Sequence, residues 1–190
     1  MRNKVRVKDR ADAVVERKSF LVEKALFTSR WEWEHWRKGE LLDNWVEKNI
    51  CTNEGLEHAL GVAFSGVTQV TDWYIGIYNT NTTPASNMTY GTPVFTESTN
   101  YSEATRPVWT DAGVSSKSIT NSAAKASFTM ATAETVYGAA LFGGGSAATT
   151  KGDAAGAGVL YNVSDFTGGA KSVASDDVLK VTVTLSIADA

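Results

Sequence analysis

The chain of 190 residues contains one cysteine, Cys51, three prolines and two histidines. One cysteine excludes an intrachain disulfide, and with it the small disulfide-stapled secreted scaffold. Folding in a reducing compartment is the expectation. A domain of this length buries roughly 70% of its unfolded surface and needs no covalent or metal staple. No run of roughly 18 apolar residues occurs, so no helical membrane span is expected. The N-terminus is basic but lacks the apolar segment of a signal peptide. The Asn-X-Ser/Thr sites at Asn81, Asn87, Asn100 and Asn162 therefore read as by-products of a Thr/Asn/Ser-rich chain. No repeat of fixed period is visible.

Charge is unevenly placed. Residues 1–30 hold nine Lys/Arg and four Asp/Glu, and the remainder holds nine and seventeen, so a basic arm precedes an acidic body within a net charge of −3. Such an arm suits an acidic partner surface. Asp9, Asp12, Glu16 and Glu23 dilute it as a phosphate binder, so nucleic acid is not the expected partner. Arg2, Lys4, Arg6, Lys8, Arg10 and Arg17 are its candidate charged contacts, and Val14, Val15, Leu21, Val22 and Leu26 its candidate apolar ones. Alternation around Val5 and Val7 predicts an extended start, and the apolar spacing over 10–27 is roughly helical. Fully extended, thirty residues reach up to roughly 100 Å, enough to cross a neighbouring subunit.

The body, 31–190, reads as mainly β. Residues 31–37 alternate as a strand, Lys38-Gly39-Glu40 forms a turn, and 41–46 returns as the second strand of a hairpin. Thr52 is a suitable N-cap for a short helix over 53–64, which Gly55 and Gly61 weaken intrinsically while permitting close packing against strands. Strands are expected at 72–78, 106–112, 117–130, 134–142, 158–163 and 177–187, the last alternating cleanly between Val178 and Ile187. Glycines at 143–145 and 152–158 mark a long loop. The pattern predicts an antiparallel β-sandwich, jelly-roll-like or immunoglobulin-like, with at least six strands in two packed sheets and one short helix.

Chemistry-bearing patterns are sparse. Nucleophilic catalysis would require Cys51 with His35 or His58, but Cys51 directly precedes the helix cap and reads as a small packing residue. One cysteine and two histidines form no zinc pattern. Asp153, Asp176 and Asp177 lack EF-hand spacing. Gly143-Gly144-Gly145 with Lys151-Gly152 departs from the phosphate-loop pattern. Glu97 and Glu103 resemble a glycosidase pair only if a cleft places them about 5–10 Å apart. Trp31, Trp33, Trp36 and Trp45 would suit a carbohydrate platform, but alternation puts Trp31 and Trp33 on one face and Trp36 on the other, which favours core or interface. No catalytic residue, cofactor or metal is expected.

Several segments carry a likeness. They are Trp33-Glu34-His35-Trp36-Arg37 with Gly39, Asn49-Ile50-Cys51-Thr52-Asn53-Glu54-Gly55-Leu56, Thr71-Asp72-Trp73-Tyr74-Ile75-Gly76 and the run from Phe95 through Tyr101-Ser102-Glu103-Ala104-Thr105-Arg106-Pro107. With Ser118-Ile119-Thr120-Asn121 and Tyr137-Gly138-Ala139-Ala140-Leu141, they resemble a family of small structural proteins of tailed bacteriophages. The likeness covers about residues 31–187 and leaves the arm outside. It implies a non-enzymatic virion component that folds in the host bacterial cytoplasm. A capsid decoration (cement) protein at the capsid surface is the leading expectation, and a tail or fibre component, adaptor or receptor-binding domain, is the alternative. A decoration protein would have the major capsid protein and copies of itself as partners, a trimer being the first expectation.

Overall fold

The computed structural model describes residues 25–189. Among these, ten strands and one helix form a mainly β, sandwich-like architecture in which every strand pairing is antiparallel. The strands are β1 (Ala25–Arg37), β2 (Glu40–Cys51), β3 (Trp73–Tyr78), β4 (Ser118–Thr120), β5 (Ala126–Thr129), β6 (Glu134–Val136), β7 (Gly138–Gly144), β8 (Gly158–Asp165), β9 (Lys171–Val173) and β10 (Val178–Asp189), with helix α1 (Asn53–Phe64) after β2.

Eight strands make one curved sheet, a half-barrel, in the order β3-β7-β8-β2-β1-β10-β4, with β5 also paired to β10. β2 joins the two walls. Its first part pairs with β1 from Arg37↔Glu40 to Arg30↔Lys48, and its last residues, Asn49–Cys51, pair with β8. Lys38 and Gly39, both at positive φ, close the β1–β2 hairpin as a two-residue turn whose twist suits the flanking strands.

Alternation decides what enters the half-barrel. Trp31 and Trp33 point into the core with Leu179, Val181 and Val183 of β10 and Ile75, Ile77 and Leu141 from the opposite wall. Trp33 stacks between Trp31 and Trp45, with Phe166 edge-on to Trp33 and Trp45. A second cluster, Tyr78, Tyr90, Phe95 and Phe142, lies on the other side of β3 and β7. β6 and β9 form a separate two-stranded ribbon, tied to β2 by Lys171, which donates to Asp43 and lies over the Trp45 ring.

α1 begins where its cap predicts. The Thr52 hydroxyl accepts from Gly55 N–H at 3.0 Å and donates to the Leu160 carbonyl of β8. Gly55 is required there: a Cβ would stand 2.5 Å from the Tyr161 carbonyl oxygen. Gly61 faces the Val67 side chain instead of a strand.

Four expectations are corrected. The first strand starts at Ala25, so residues 25–30 belong to the sheet and the helical spacing expected through Phe27 gives way to pairing with β10. Residues 106–112 form no strand; Pro107 and Trp109 bond singly to Ile75 and Trp73 of β3, leaving an extended cover over that edge. The expected strand 117–130 breaks at buried Asn121, whose amide substitutes for the ladder by accepting from Val183 N–H and donating to the Val181 carbonyl. The expected 134–142 divides at Tyr137 into β6 and β7, and β9 was not foreseen.

Candidate functional site

The arm residues Arg2, Lys4, Arg6, Lys8, Arg10, Val14, Val15, Arg17, Leu21 and Val22 lie outside the described residues. Leu26 lies within them, on β1 and half exposed, paired with Ala188. Even-numbered β1 residues face outward, and the register places Val46 and Lys48 of β2 and Thr184 and Ser186 of β10 on the same face. Together with Leu26, Thr28 and Arg30 they line an open groove of about 510 Å³. Val46 is half exposed there, and Ile50 follows two residues beyond Lys48 on β2.

The inner face at the same end of the sheet carries a second feature. Phe27, Tyr161, Leu185 and Ile187, with Ile119 and Val114, line an apolar crevice of about 180 Å³. Ile187 is 45% exposed and Val114 77% exposed, so this apolar rim is uncovered. Cys51 adjoins it, its Sγ 3.9 Å from the Phe27 carbonyl oxygen. Burial pushes the Cys51 thiol above its usual range and pushes Tyr161 up to about 12. A thiol so raised is a weak nucleophile at neutral pH and serves here as packing.

Other chemistry-bearing side chains are engaged in structure. His35 contacts buried Asp177 at 2.7 Å, and Arg37 donates to both oxygens of Asp177, each at 2.7 Å. The Arg37 guanidinium holds the Asp177 carboxyl well below the usual range, against the opposing effect of burial. His58 packs edge-on against Trp73. Glu97 and Glu103 do not act as a pair. Glu97 takes two charge-assisted bonds from Arg106, at 2.8 and 2.6 Å, while Glu103 accepts from Thr129 N–H. Lys151 cradles no phosphate: its Nζ donates to the carbonyls of Tyr101 and Glu103. Among the described residues no group of three or more His, Cys, Asp or Glu is placed to hold a metal. Trp31 and Trp33 are buried and offer no platform.

A further cleft, about 590 Å³, opens between α1 and the loops after α1 and β7, where His58, Thr68, Gln69, Thr71, Asp72, Tyr74 and Thr149 line it without a lysine or arginine. Sequence reasoning singled out neither this cleft nor the crevice. Phe27, Tyr161 and Ile187 lie far apart in the sequence; the pairing of β1 with β10 sets Phe27 opposite Ile187, and β8 brings Tyr161 to them from across the sheet, so the one sequence signal was the apolar arm that precedes Phe27. No family model matches the chain, and no curated protein matches it.

Proposed function

We propose that this chain is a non-enzymatic virion structural protein of a tailed bacteriophage, a capsid decoration protein that binds the major capsid protein lattice through its N-terminal arm and associates with copies of itself at the capsid surface. The resemblance of residues 31–187 to tailed-phage structural proteins supplies the particle. The observation on the fold that supports assembly is the concentration of uncovered apolar side chains where the arm joins the body. Leu26 and Val46 lie on the outer face there, and Ile187 and Val114 rim the crevice inside it. Apolar surface grouped in this way marks an interaction site more often than singly scattered residues do. The arm adds Val14, Val15, Leu21 and Val22 beside its cations. Burying each apolar side chain fully contributes about 1.5–3 kcal/mol, whereas an exposed ion pair contributes about 0–1 kcal/mol. Attachment is thus mainly apolar and only partly weakened by salt.

A second reading, a tail or fibre component, draws on the 590 Å³ cleft, where hydroxyl, amide and single-carboxylate side chains stand with His58 and Tyr74 beside Val67, Val70 and Val159, a mixed polar and apolar lining that suits an uncharged ligand. Counting this chain against the major capsid protein in purified particles separates the two. A copy number that scales with the capsid lattice supports decoration, and one at the level of a tail ring or fibre contradicts it in favour of the second reading.

A further inference from the structure

The run Gly143-Gly144-Gly145 departs from a phosphate loop, and its last two glycines line the 590 Å³ cleft. We infer that this cleft is a binding site for an uncharged saccharide. The inference goes beyond the decoration reading and does not depend on where in the virion the chain sits.

The walls come from α1 and the segment after it, from β3, from the end of β7 with its loop, and from the start of β8. Gly144 and Gly145 are both at positive φ. A Cβ at Gly144 would stand 3.0 Å from the Val70 side chain, and one at Gly145 would stand 2.8 Å from the Gly158 backbone nitrogen. The two glycines therefore leave this stretch of wall bare and let the segment carrying Val70 approach it. The volume falls within the roughly 300–1,000 Å³ of sites that take small ligands.

The polar groups of the lining are free for a ligand. Arg106, Glu97, Lys151, Glu103 and Asp177 all bond within the protein. In the cleft, by contrast, no hydrogen bond engages the side chains of Thr68, Gln69, Tyr74 or Thr149 among the described residues, and Thr71 bonds only to its neighbour Asp72. Burial and the Asp72 charge push Tyr74 above its usual range, so its hydroxyl keeps the proton. Hydroxyls and the Gln69 amide both donate and accept. Their natural complement is a ligand whose own groups do both and carry no charge, which is the chemistry of sugar hydroxyls. An anion would meet no lysine or arginine among the described residues of the lining and would face Asp72. A purely apolar ligand would leave the hydroxyls and the amide without partners. Val70, Val159 and the half-buried rings of His58 and Tyr74 suit the C–H faces of a sugar ring.

The test uses the full chain and a panel of neutral trisaccharides built from glucose, galactose, mannose or N-acetylglucosamine, with sialyllactose and trigalacturonate as acidic comparators. Binding is read by saturation-transfer NMR and titration calorimetry up to about 10 mM. Gln69→Ala removes the amide and Thr149→Trp fills the cleft. Both positions are exposed, and matching melting curves verify that the variants fold. Leu42→Ala, exposed and outside the lining, is the control. The expected result is that at least one neutral trisaccharide binds, more tightly than the acidic comparators, that each cleft variant weakens it at least about tenfold, and that Leu42→Ala leaves it unchanged. No binding by any neutral member would overturn the inference. Unchanged binding to either cleft variant would place the sugar elsewhere and overturn it, and tighter binding of the acidic members would show an anion site and do the same. None of these outcomes touches the decoration reading, which stands or falls on copy number.

Discussion

β1, β2 and β10 run thirteen, twelve and twelve residues, and β1 and β10 bury one face of alternating side chains, whereas no helix or strand forms between Tyr78 and Ser118, and residues 145–157 are likewise irregular. The first region is held by stacked and edge-on aromatics around Trp33. The second is held by charged side chains turned inward onto backbone. Arg106, 1% exposed, donates to Glu97 and to the carbonyls of Ala147, Ala148 and Asp153. Gly76 leaves room for the Glu97 carboxylate, which would stand 2.6 Å from a Cβ there. Glu54 accepts from Tyr90 and Leu160 N–H, and Lys151 fastens the loop to the Tyr101 and Glu103 carbonyls. Irregular buried backbone has no ladder to satisfy its polar groups, so side chains supply the partners. A long strand needs none.

Trp33→Ala should have the largest effect, removing a fully buried ring from the stack at a cost of about 3–5 kcal/mol in urea denaturation. A loss below about 1 kcal/mol would mean that the hairpin is not the core. Arg106→Ala should cost a comparable or slightly smaller amount, about 3–5 kcal/mol, by leaving the Glu97 carboxylate buried without its cation. The two regions should differ in rescue. Pairing Arg106→Met with Glu97→Leu removes both charges and should recover much of the loss, and limited proteolysis of 145–157 should follow the same order. Failure of the double variant to recover would show that the carbonyl contacts of Arg106, not its charge pairing, hold the loop.

Gly55→Ala should cost about 1–3 kcal/mol, because the added methyl meets the Tyr161 backbone and cannot be relieved by a side-chain rotation. Thermal unfolding checks it, with Gly39→Ala, where a Cβ meets open space, reporting only the cost of positive φ.

Position within the pattern explains what the sequence made legible. α1 was readable to the residue because Thr52 and the apolar spacing after it are local signals. β10 was readable because Val178–Ile187 alternates without interruption. The break at Asn121 was not, because an amide that mimics a strand ladder leaves the surrounding alternation intact. Glu97 and Arg106 are nine residues apart in a segment without period, and nothing local shows that both turn inward. Of the candidate site, the sequence supplied the arm and its side chains; the crevice exists only through the pairing of β1 with β10 and the approach of Tyr161.

A smaller effect separates the regions by pH. The pairing with Arg37 depresses the Asp177 carboxyl, so the stability it contributes is present above the unfolded value of about 3.9 and is lost as pH falls from there through the lower folded value. Acid unfolding of Asp177→Asn should be correspondingly flatter below about pH 4. An unchanged acid limb would place the acid-sensitive group elsewhere.

The central claim concerns attachment by the arm. Because the described part of β1 runs from Ala25 to Arg37, the appropriate truncation removes residues 1–24 and keeps every described residue of that strand. Binding of the full chain and of this truncation to particles lacking the protein should be measured across a range of salt. A body that melts as the full chain does but binds particles far more weakly, with full-chain binding only partly reduced by high salt, is the expected result. A truncated body that saturates the particles with the full chain's affinity would contradict the account.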